Sequence, residues 1–386
     1  MELFPALLIG GPPHSGKSVL AYSLTQALRQ LGLQHYLLRS CPDGEGDWAN
    51  ESDQALVRLI RIKGSYTSAW VDMIGRDIVR RHVPLLVDVG GKPQGDQESI
   101  FGHCTHAILI AATAEALAEW RGYARRAGLT VLAELESSLT EAAVVFEERP
   151  LFKARLHGLE RGTTQQDPVF QRLVDKLKPY FDYPEQEVRQ LHLNTAPVET
   201  TIDLDQLART LGVPHQGQQA FWEPEHIPRL LDELPDDGSL GLYGRGPNWL
   251  FAAVAGHSRA APFYQFDPRL GWVRPVQLHL GSPPEDTLLI CQPDESHDVA
   301  IYRFTIRHSY LDYLEADGLI VPPPPQDKPL ILNGKMPHWL LTGLSIQYQD
   351  APLLAVHQPQ SEINVVVSSR LPGFAPGDLY GLGVVG

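Results

Sequence analysis

Residues 11–18 read GPPHSGKS, which is the spacing of a loop that wraps the phosphates of a bound nucleotide. The stretch follows the apolar run FPALLIGG and precedes a helical pattern, which is the context that such a loop requires. Lys17 is expected to reach the outer phosphates, and the Ser18 hydroxyl is expected to bind magnesium. The predicted contacts of Mg-ATP are Gly11, Ser15, Gly16, Lys17, Ser18 and Asp88.

Asp88 ends the apolar run PLLVDVGG, where a P-loop protein commonly holds its magnesium ion, so Ser18 and Asp88 are the predicted metal residues. A purely structural strand-ending aspartate is the alternative. The next residue is Val89 and not the glutamate of vigorous ATPases, which favours phosphoryl transfer or a nucleotide switch. The loop 40–48 carries Asp43, Glu45 and Asp47, which would orient an acceptor hydroxyl or form a solvated acidic loop.

A second set of reactive residue types lies between 241 and 280. His257, Asp267, Arg269 and His279 fall near the predicted ends of a helix, a strand, a D-P-R turn and a further strand. Imidazoles supply acid–base groups near neutral pH, and arginine binds phosphate through paired N–H groups. A mixture of histidine and aspartate also suits manganese. The spacing alone favours the alternative, in which these are scattered surface residues and DPRLG is a structural turn.

The segment 241–271 returns in weaker form at 331–360. At an offset of ninety residues, the shared positions are Gly244/Gly334, Pro247/Pro337, Trp249/Trp339, Leu250/Leu340, Ala261/Ala351 and Pro262/Pro352. The reactive residues are not shared, because the second copy has Gln347, Gln358, Gln360 and Arg370 at the positions of His257, Asp267, Arg269 and His279. We therefore predict a duplicated module whose second copy is degenerate.

GRGPNWL, PFYQFDPRLG and VQLH resemble the signature of CRISPR-associated ring nucleases of the Csx-three family, which is also known fused to an N-terminal AAA-type P-loop domain. The resemblance implies manganese-dependent cleavage of cyclic tetra-adenylate, the second messenger of type III CRISPR systems, held between modules. It implies catalytic roles for His257, Asp267, Arg269 and His279, with Asp267 and His279 on the metal. The implied ligand-binding turn is Gly244, Arg245, Gly246 and Pro247.

These residues must be positioned by an α/β chain. Apolar strand-like runs alternate with helical periodicity over the first 200 residues, which predicts a P-loop, kinase-like parallel sheet with helices on both faces. Two tandem α+β modules are expected to follow it. The predicted domains are 1–212, 220–297 with the catalytic residues, and 298–386 as the degenerate repeat. The segment VPHQGQQ at 213–219 is the predicted linker.

Composition limits the remaining choices. The net charge of −14 argues against a protein that coats long nucleic acid. Three widely spaced cysteines, the lack of a signal-peptide pattern and the lack of a long apolar stretch predict a cytoplasmic protein without a membrane segment. The duplicated modules would mimic a homodimer within one chain, and a homo-oligomer of the chain is also expected.

The leading hypothesis is a ring nuclease for cyclic tetra-adenylate joined to an ATP-binding domain. One alternative is a sensor that binds cyclic oligoadenylate without cutting it and regulates the P-loop domain. Another makes the P-loop domain a nucleoside or nucleotide kinase, and a manganese-dependent RNA exonuclease is a third.

Overall fold

The computed structural model describes residues 4–41, 67–93, 95–216, 219–235, 238–258, 261–308 and 310–381. Asp43, Glu45 and Asp47 of the acidic loop lie outside these ranges. The chain divides into two compact units, Met1–His192 with Pro268–Gly271, and Leu193–Asp267 with Trp272–Gly386.

Across the described ranges, no helix combines the length and the apolar character that crossing a membrane requires.

The first unit is built on one sheet with the strand order β2-β3-β1-β4-β5-β7-β6. Its strands are β1 Ala6–Gly10, β2 Tyr36–Ser40, β3 Leu85–Val89, β4 His106–Ala111, β5 Thr130–Ser138, β6 Val144–Glu147 and β7 Phe152–His157. Its helices are α1 Lys17–Gln30, α2 Ser68–Val79, α3 Ala114–Arg126, α4 Pro168–Leu177 and α5 Glu185–Asn194, with a 3-10 helix at Gly95–His103. All paired strands are parallel except β6, which runs antiparallel to β7. The predicted parallel α/β sheet is therefore confirmed.

The central strands β1, β3 and β4 are buried along almost their whole length, which is why they read as continuous apolar runs. The parallel register places Ile9 of β1 beside Asp88 of β3. The carboxyl ends of all the parallel strands meet at one edge of the sheet. The loop after β1, and therefore Lys17, lies at that edge together with Asp88.

The edge formed by β7 and β6 was not predicted. In β7, Phe152, Ala154 and Leu156 are buried, and they alternate with more exposed residues that include Lys153 and Arg155. This alternation is typical of a strand near a sheet edge, but the segment is short and follows Pro150. Its strand pattern is therefore weak in the sequence.

The second unit contains two larger sheets with the orders β13-β12-β11-β8 and β15-β16-β18-β19-β20. The strands are β8 Thr200–Asp203, β9 His215–Gln216, β10 Gln219–Ala220, β11 Leu240–Tyr243, β12 Phe263–Asp267, β13 Gly271–Val273, β14 His279–Leu280, β15 Leu289–Glu295, β16 Ala300–Ile306, β17 Ile320–Val321, β18 Leu330–Asn333, β19 Leu353–Gln358 and β20 Ile363–Ser369. The helices are α6 Leu204–Leu211, α7 Ile227–Asp232, α8 Asn248–His257, α9 Tyr313–Ala316 and α10 His338–Gln347, with a 3-10 turn at Pro224–His226.

The two copies of the repeated segment adopt the same local arrangement. In the first copy, β11 leads through α8 to β12, which pairs parallel with β11. In the second copy, β18 leads through α10 to β19, which pairs parallel with β18. Both copies are β-α-β units, and their helices pack against each other.

The first β-α-β unit also has a leading strand and helix. β8 pairs parallel with β11, and Asp203 accepts hydrogen bonds at the N-terminus of α6. In the second copy, β16 and α9 take the same places, and Asp312 caps α9. Thus 200–211, which the sequence assigns to the first domain, lies in the second unit. The predicted linker 213–219 also falls in that unit, where β9 and β10 pair antiparallel.

The further strand that was predicted to end near His279 is interrupted. Residues 274–278 carry no regular strand between β13 and β14, because Pro275 has no N–H to donate to a ladder. The segment instead packs on α10, where an ideal Cβ added to Gly343 would lie 2.6 Å from the Val276 carbonyl oxygen. The glycine thereby permits the first copy to approach the helix of the second.

Candidate functional site

The first candidate site is the loop between β1 and α1. Gly16 is the N-cap of α1, with φ of 85°, and no side chain caps the helix. An added Cβ at Gly16 would also lie 2.7 Å from the Leu159 Cβ, so both the backbone angle and the space require glycine. The first turn contains no acidic residue. The N-terminal N–H groups of α1 are therefore available to an anion, as phosphate binding requires.

Lys17 is buried, and its Nζ donates to the Pro12 carbonyl oxygen at 2.7 Å. Burial lowers the pKa of Lys17, and the negative charge of Asp88 opposes that shift. The lysine therefore bends back over its own loop and lies within the field of the predicted metal residue. A nucleotide phosphate would give this buried ammonium a full counter-charge.

Asp88 has a partner that the sequence did not identify. Arg39, near the end of β2, donates from Nη1 to Asp88 Oδ2 at 2.9 Å, and the aspartate side chain is 4% exposed. Ser40 donates from its hydroxyl to the Asp88 carbonyl oxygen at 3.0 Å. The arrangement fixes a buried carboxylate beside the phosphate loop. The only signal in the sequence is a charged residue within the apolar run HYLLRS.

The donor types at this edge fit Mg-ATP. Lys17 and Ser18 begin α1, and Asp88 lies in register with the end of β1. The uncapped helix start suits phosphate oxygens, while a hydroxyl and a carboxylate suit magnesium. Residues Ser18 and Asp88 would hold the cation, and the cation would neutralise charge on the phosphates.

A cavity of about 640 Å³ opens at the same edge of the sheet, after β5 and β7. It is lined by Thr140, Ala142, Ala143, His157, Gly158, Gln165, Gln166 and Asp167. The backbone N–H of Gln165 donates to the Ser23 hydroxyl on α1 at 3.0 Å, which ties this cleft to the helix of the phosphate loop.

The second candidate site is formed by the two repeated turns of the second unit. Gly244 and Gly334 both have positive φ, at 112° and 155°. Each turn ends in a proline N-cap, Pro247 or Pro337, and leads into a helix that no side chain caps and that has no acidic residue in its first turn. Two equivalent helix N-termini, one in each copy, are therefore open to anions.

Asp267 lies at the carboxyl end of β12, beside the strand that leads into the first of these turns. Its charge acts on His338, the first residue of α10 in the other copy. Burial lowers the pKa of His338, and Asp267 opposes that shift. The His338 ring lies edge-on to Phe251 of α8, with ring centroids 4.3 Å apart. The His338 ring therefore lies against the helix of the first copy.

The other predicted catalytic residues lie elsewhere. His257 is exposed at the carboxyl end of α8, and a helix of this length places it roughly 15 Å from the turn at its start. It faces the edge where β12 begins, whereas Asp267 is at the edge where β12 ends. The structure therefore does not bring His257 and Asp267 together within the chain.

Arg269 and His279 also have separate surroundings. Arg269 belongs to the first unit, where its Nε lies 3.5 Å from Asp77 Oδ2. His279 is exposed on β14, and its backbone N–H donates to the Leu319 carbonyl oxygen at 2.9 Å. The catalytic roles of Arg269 and His279 stay predictions.

The fit of manganese to the second unit can be judged from the donors present. Across the described ranges, no group of three or more histidine, cysteine, aspartate or glutamate side chains is placed to hold a metal ion. Asp267 supplies a carboxylate of the kind that manganese accepts, and manganese binding in the second unit stays a prediction.

Comparison with known proteins gives one family match. Residues 304–380 match the family described as CRISPR-associated protein (Cas_csx3). The matched residues lie in and around the second copy. They do not include GRGPNWL in the first copy, on which the resemblance to ring nucleases mainly rests. It supports a CRISPR-associated relationship for that region, and fusion to an AAA-type domain stays a prediction. No curated protein matches the chain.

Two solved structures show limited similarity. "Crystal structure of APE1195" shares 17% identity over 35% of this chain and 61% of that chain, with a TM-score of 0.16. Shikimate kinase from Acinetobacter baumannii in complex with shikimate shares 16% identity over 51% of this chain and 97% of that chain, with a TM-score of 0.18. This chain thus spans less than two thirds of the first of these structures. At these TM-scores neither similarity carries an argument about function.

Proposed function

We propose that this chain is a ring nuclease that cleaves a phosphodiester bond of cyclic tetra-adenylate, and that its first unit binds Mg-ATP. The observation that carries the proposal is the pair of equivalent turns in the second unit. Each turn leads into an uncapped helix, and Asp267 lies beside the first of them. The match of residues 304–380 to a CRISPR-associated family supports the assignment.

A cyclic oligonucleotide suits a duplicated site because it repeats the same phosphodiester around its ring. Arg245 in the first turn and Lys335 in the second would each place one positive charge beside a helix N-terminus. Lys335 is exposed, so its ammonium can pair with a bound phosphate. The overall charge of −14 disfavours the binding of long nucleic acid. The positive charges of the two turns would still attract a small anionic ligand.

Manganese would lower the cost of the negative charge that develops on the cleaved phosphodiester. Within the chain, Asp267 would contribute a carboxylate at that position, and Arg245 would orient a phosphate. Two routes remain open, attack by the ribose 2′-hydroxyl and attack by water. The first leaves a cyclic phosphate end and the second leaves a simple phosphate end.

The first unit would hold the triphosphate on the loop 11–18, with Lys17 on the outer phosphates and Ser18 and Asp88 on magnesium. The cavity after β5 and β7 has room for the nucleoside part of ATP, and its lining offers Thr140, Gln165 and Gln166 as hydrogen-bonding groups. The fixed Arg39–Asp88 pair and the absence of an acid at Val89 favour slow turnover or transfer over vigorous hydrolysis.

The test is cleavage of labelled cyclic tetra-adenylate by the full chain with manganese, with and without ATP. The proposal predicts a linear product, and analysis of its phosphate end separates the two routes. The Lys17→Ala variant should lose any effect of ATP while it retains the basal cleavage. Stable binding of an uncut ring with manganese present would refute the nuclease and select the sensor. A phosphorylated nucleoside formed from ATP would establish kinase activity in the first unit.

A further inference from the structure

The carboxylate that would hold magnesium in the first unit is already paired with a cation. Arg39 of β2 lies beside Asp88 of β3 in the parallel register, and its Nη1 donates to Asp88 Oδ2 at 2.9 Å. Both side chains are largely buried, with exposed fractions of 13% and 4%. Water screens such a pair poorly, so the guanidinium offsets much of the attraction of the carboxylate for a second cation.

This ion pair lies next to the phosphate loop. The chain after Asp88 packs on that loop, because an ideal Cβ added to Gly91 would lie 2.7 Å from Pro13 Cγ. On the other side, Ser40 follows Arg39 and donates from its hydroxyl to the Asp88 carbonyl oxygen at 3.0 Å. The ends of β2 and β3 are therefore joined beside the loop, and the ion pair belongs to the candidate nucleotide site.

The charges at this site favour an anion over a metal ion that arrives alone. Lys17 and Arg39 contribute two positive charges, and Asp88 contributes one negative charge. The uncapped N-terminus of α1 adds a partial positive charge at the same edge of the sheet. A triphosphate therefore meets a net positive site, whereas a divalent cation without phosphate is repelled.

We propose that Arg39 makes metal binding in the first unit conditional on the nucleotide: it balances the charge of Asp88 and thereby admits magnesium only as a complex with the phosphates. The inference rests on the proposed binding of Mg-ATP and specifies how that site selects its ligand. Ser18 and Asp88 stay the metal residues. Arg39 is a positioning residue, because it acts through the Asp88 carboxylate. When phosphates supply further negative charge, the arginine no longer prevents cation binding.

A second arginine–carboxylate pair in the same sheet provides a matched control. Arg121 of α3 donates to both carboxylate oxygens of Glu134 in β5, at 2.6 and 2.7 Å, and the glutamate side chain is 6% exposed. The chemistry of this pair resembles that of Arg39 and Asp88, but β4 lies between β5 and the strand that leads into the phosphate loop. Removing the charge of Arg121 should therefore leave metal binding at the loop unchanged.

The experiment is a Mn²⁺ titration of the full chain without nucleotide, followed by the electron paramagnetic resonance of free Mn²⁺. Arg39→Gln keeps a hydrogen-bond donor but removes the charge, so its Mn²⁺ affinity at this site should exceed that of wild type by about tenfold or more. Adding Asp88→Asn should abolish the gain, which assigns it to the first unit. Arg39→Lys, which keeps the charge, and Arg121→Gln should both bind Mn²⁺ as wild type does.

ATP binding separates this role from a structural one. With a chelator present, Arg39→Gln should bind ATP about tenfold or more weakly than wild type in isothermal titration calorimetry, because the site has lost a positive charge. A distorted site would instead lose affinity for both ligands. Equal Mn²⁺ affinity in wild type and Arg39→Gln, or weaker binding of both Mn²⁺ and ATP by Arg39→Gln, would overturn the proposal. A wild type that binds no ATP would refute the proposed nucleotide site, while a gain of Mn²⁺ affinity in Arg39→Gln would still uphold the charge balance between Arg39 and Asp88.

Discussion

Replacing Gly343 with alanine tests how closely the two copies pack. Gly343 lies within α10, and an ideal Cβ there would be 2.6 Å from the Val276 carbonyl oxygen and 2.8 Å from its Cγ2. The nearest obstacle is backbone, which cannot rotate away as a side chain can. Gly256 in α8 is the matched control, because an added Cβ would meet no atom within 4 Å.

Both substitutions change the helix propensity in the same way, but only one of them introduces a packing clash. Alanine in place of glycine in a helix stabilises by about 0.5–1 kcal/mol, and this gain applies at both positions. Forcing an extra carbon into packed structure costs roughly 1–3 kcal/mol, and this cost applies only at Gly343. Gly256→Ala should therefore raise the free energy of unfolding. Gly343→Ala should lower the free energy of unfolding or leave it almost unchanged. The two variants should therefore differ in this free energy by about 1–3 kcal/mol.

Differential scanning calorimetry of the full chain measures this difference. At about 2–4 °C per kcal/mol for a unit of this size, the transition temperatures of the two variants should separate by several degrees. Gly343→Ala should melt below Gly256→Ala. If both variants melt above wild type by the same amount, residues 274–278 do not cross α10 at close range, and the argument for contact between the copies fails.

Three further substitutions test individual contacts. Lys17→Ala should weaken ATP binding by about tenfold or more in isothermal titration calorimetry, because it removes a charged phosphate donor; an unchanged dissociation constant would exclude the loop 11–18 as the nucleotide site. Arg39→Ala should cost about 3–5 kcal/mol in chemical denaturation, since it removes a hydrogen-bonded counter-charge from the buried Asp88 carboxylate. Adding Asp88→Asn should recover most of that loss, and failure to recover it would contradict the pairing. Gln358→Ala should cost about 1–3 kcal/mol by leaving the Trp249 N–H without its acceptor, and strict additivity with Trp249→Phe would refute this hydrogen bond.

The parallel sheet could be predicted because its signals are local. The apolar runs FPALLIGG and PLLVDVGG coincide with β1 and β3, since buried parallel strands are continuous apolar runs. The phosphate loop has a fixed spacing next to such a strand, so its position follows directly from GPPHSGKS. The helix α8 begins directly after the glycine-proline turn of GRGPNWL, where the sequence predicts a helix.

Partners distant in sequence could not be predicted in the same way. Arg39 and Asp88 are 49 residues apart, and only the parallel pairing of β2 with β3 brings them together. The hydrogen bond between Trp249 and Gln358 joins residues 109 positions apart. It depends on how the copies pack, and periodicity within one segment carries no information about that.

The sequence pattern also did not reveal where the first module begins. The strand β8 has four residues, TTID, and only one of them is strongly apolar. Its place in the sheet follows from parallel pairing with β11, about forty residues later. The comparison that would have located it is with the second copy, where a strand followed by an Asp-capped helix also precedes the repeated segment.

The central claim is that the second unit opens a cyclic oligoadenylate at a face that contains Asp267. It is tested most directly by single-turnover cleavage of labelled cyclic tetra-adenylate with excess full-length chain and manganese. Wild type should convert the ring to a linear product, and Asp267→Asn should lower the rate constant by about 100-fold or more. An intact ring with wild type, or an equal rate constant for Asp267→Asn, would contradict the claim.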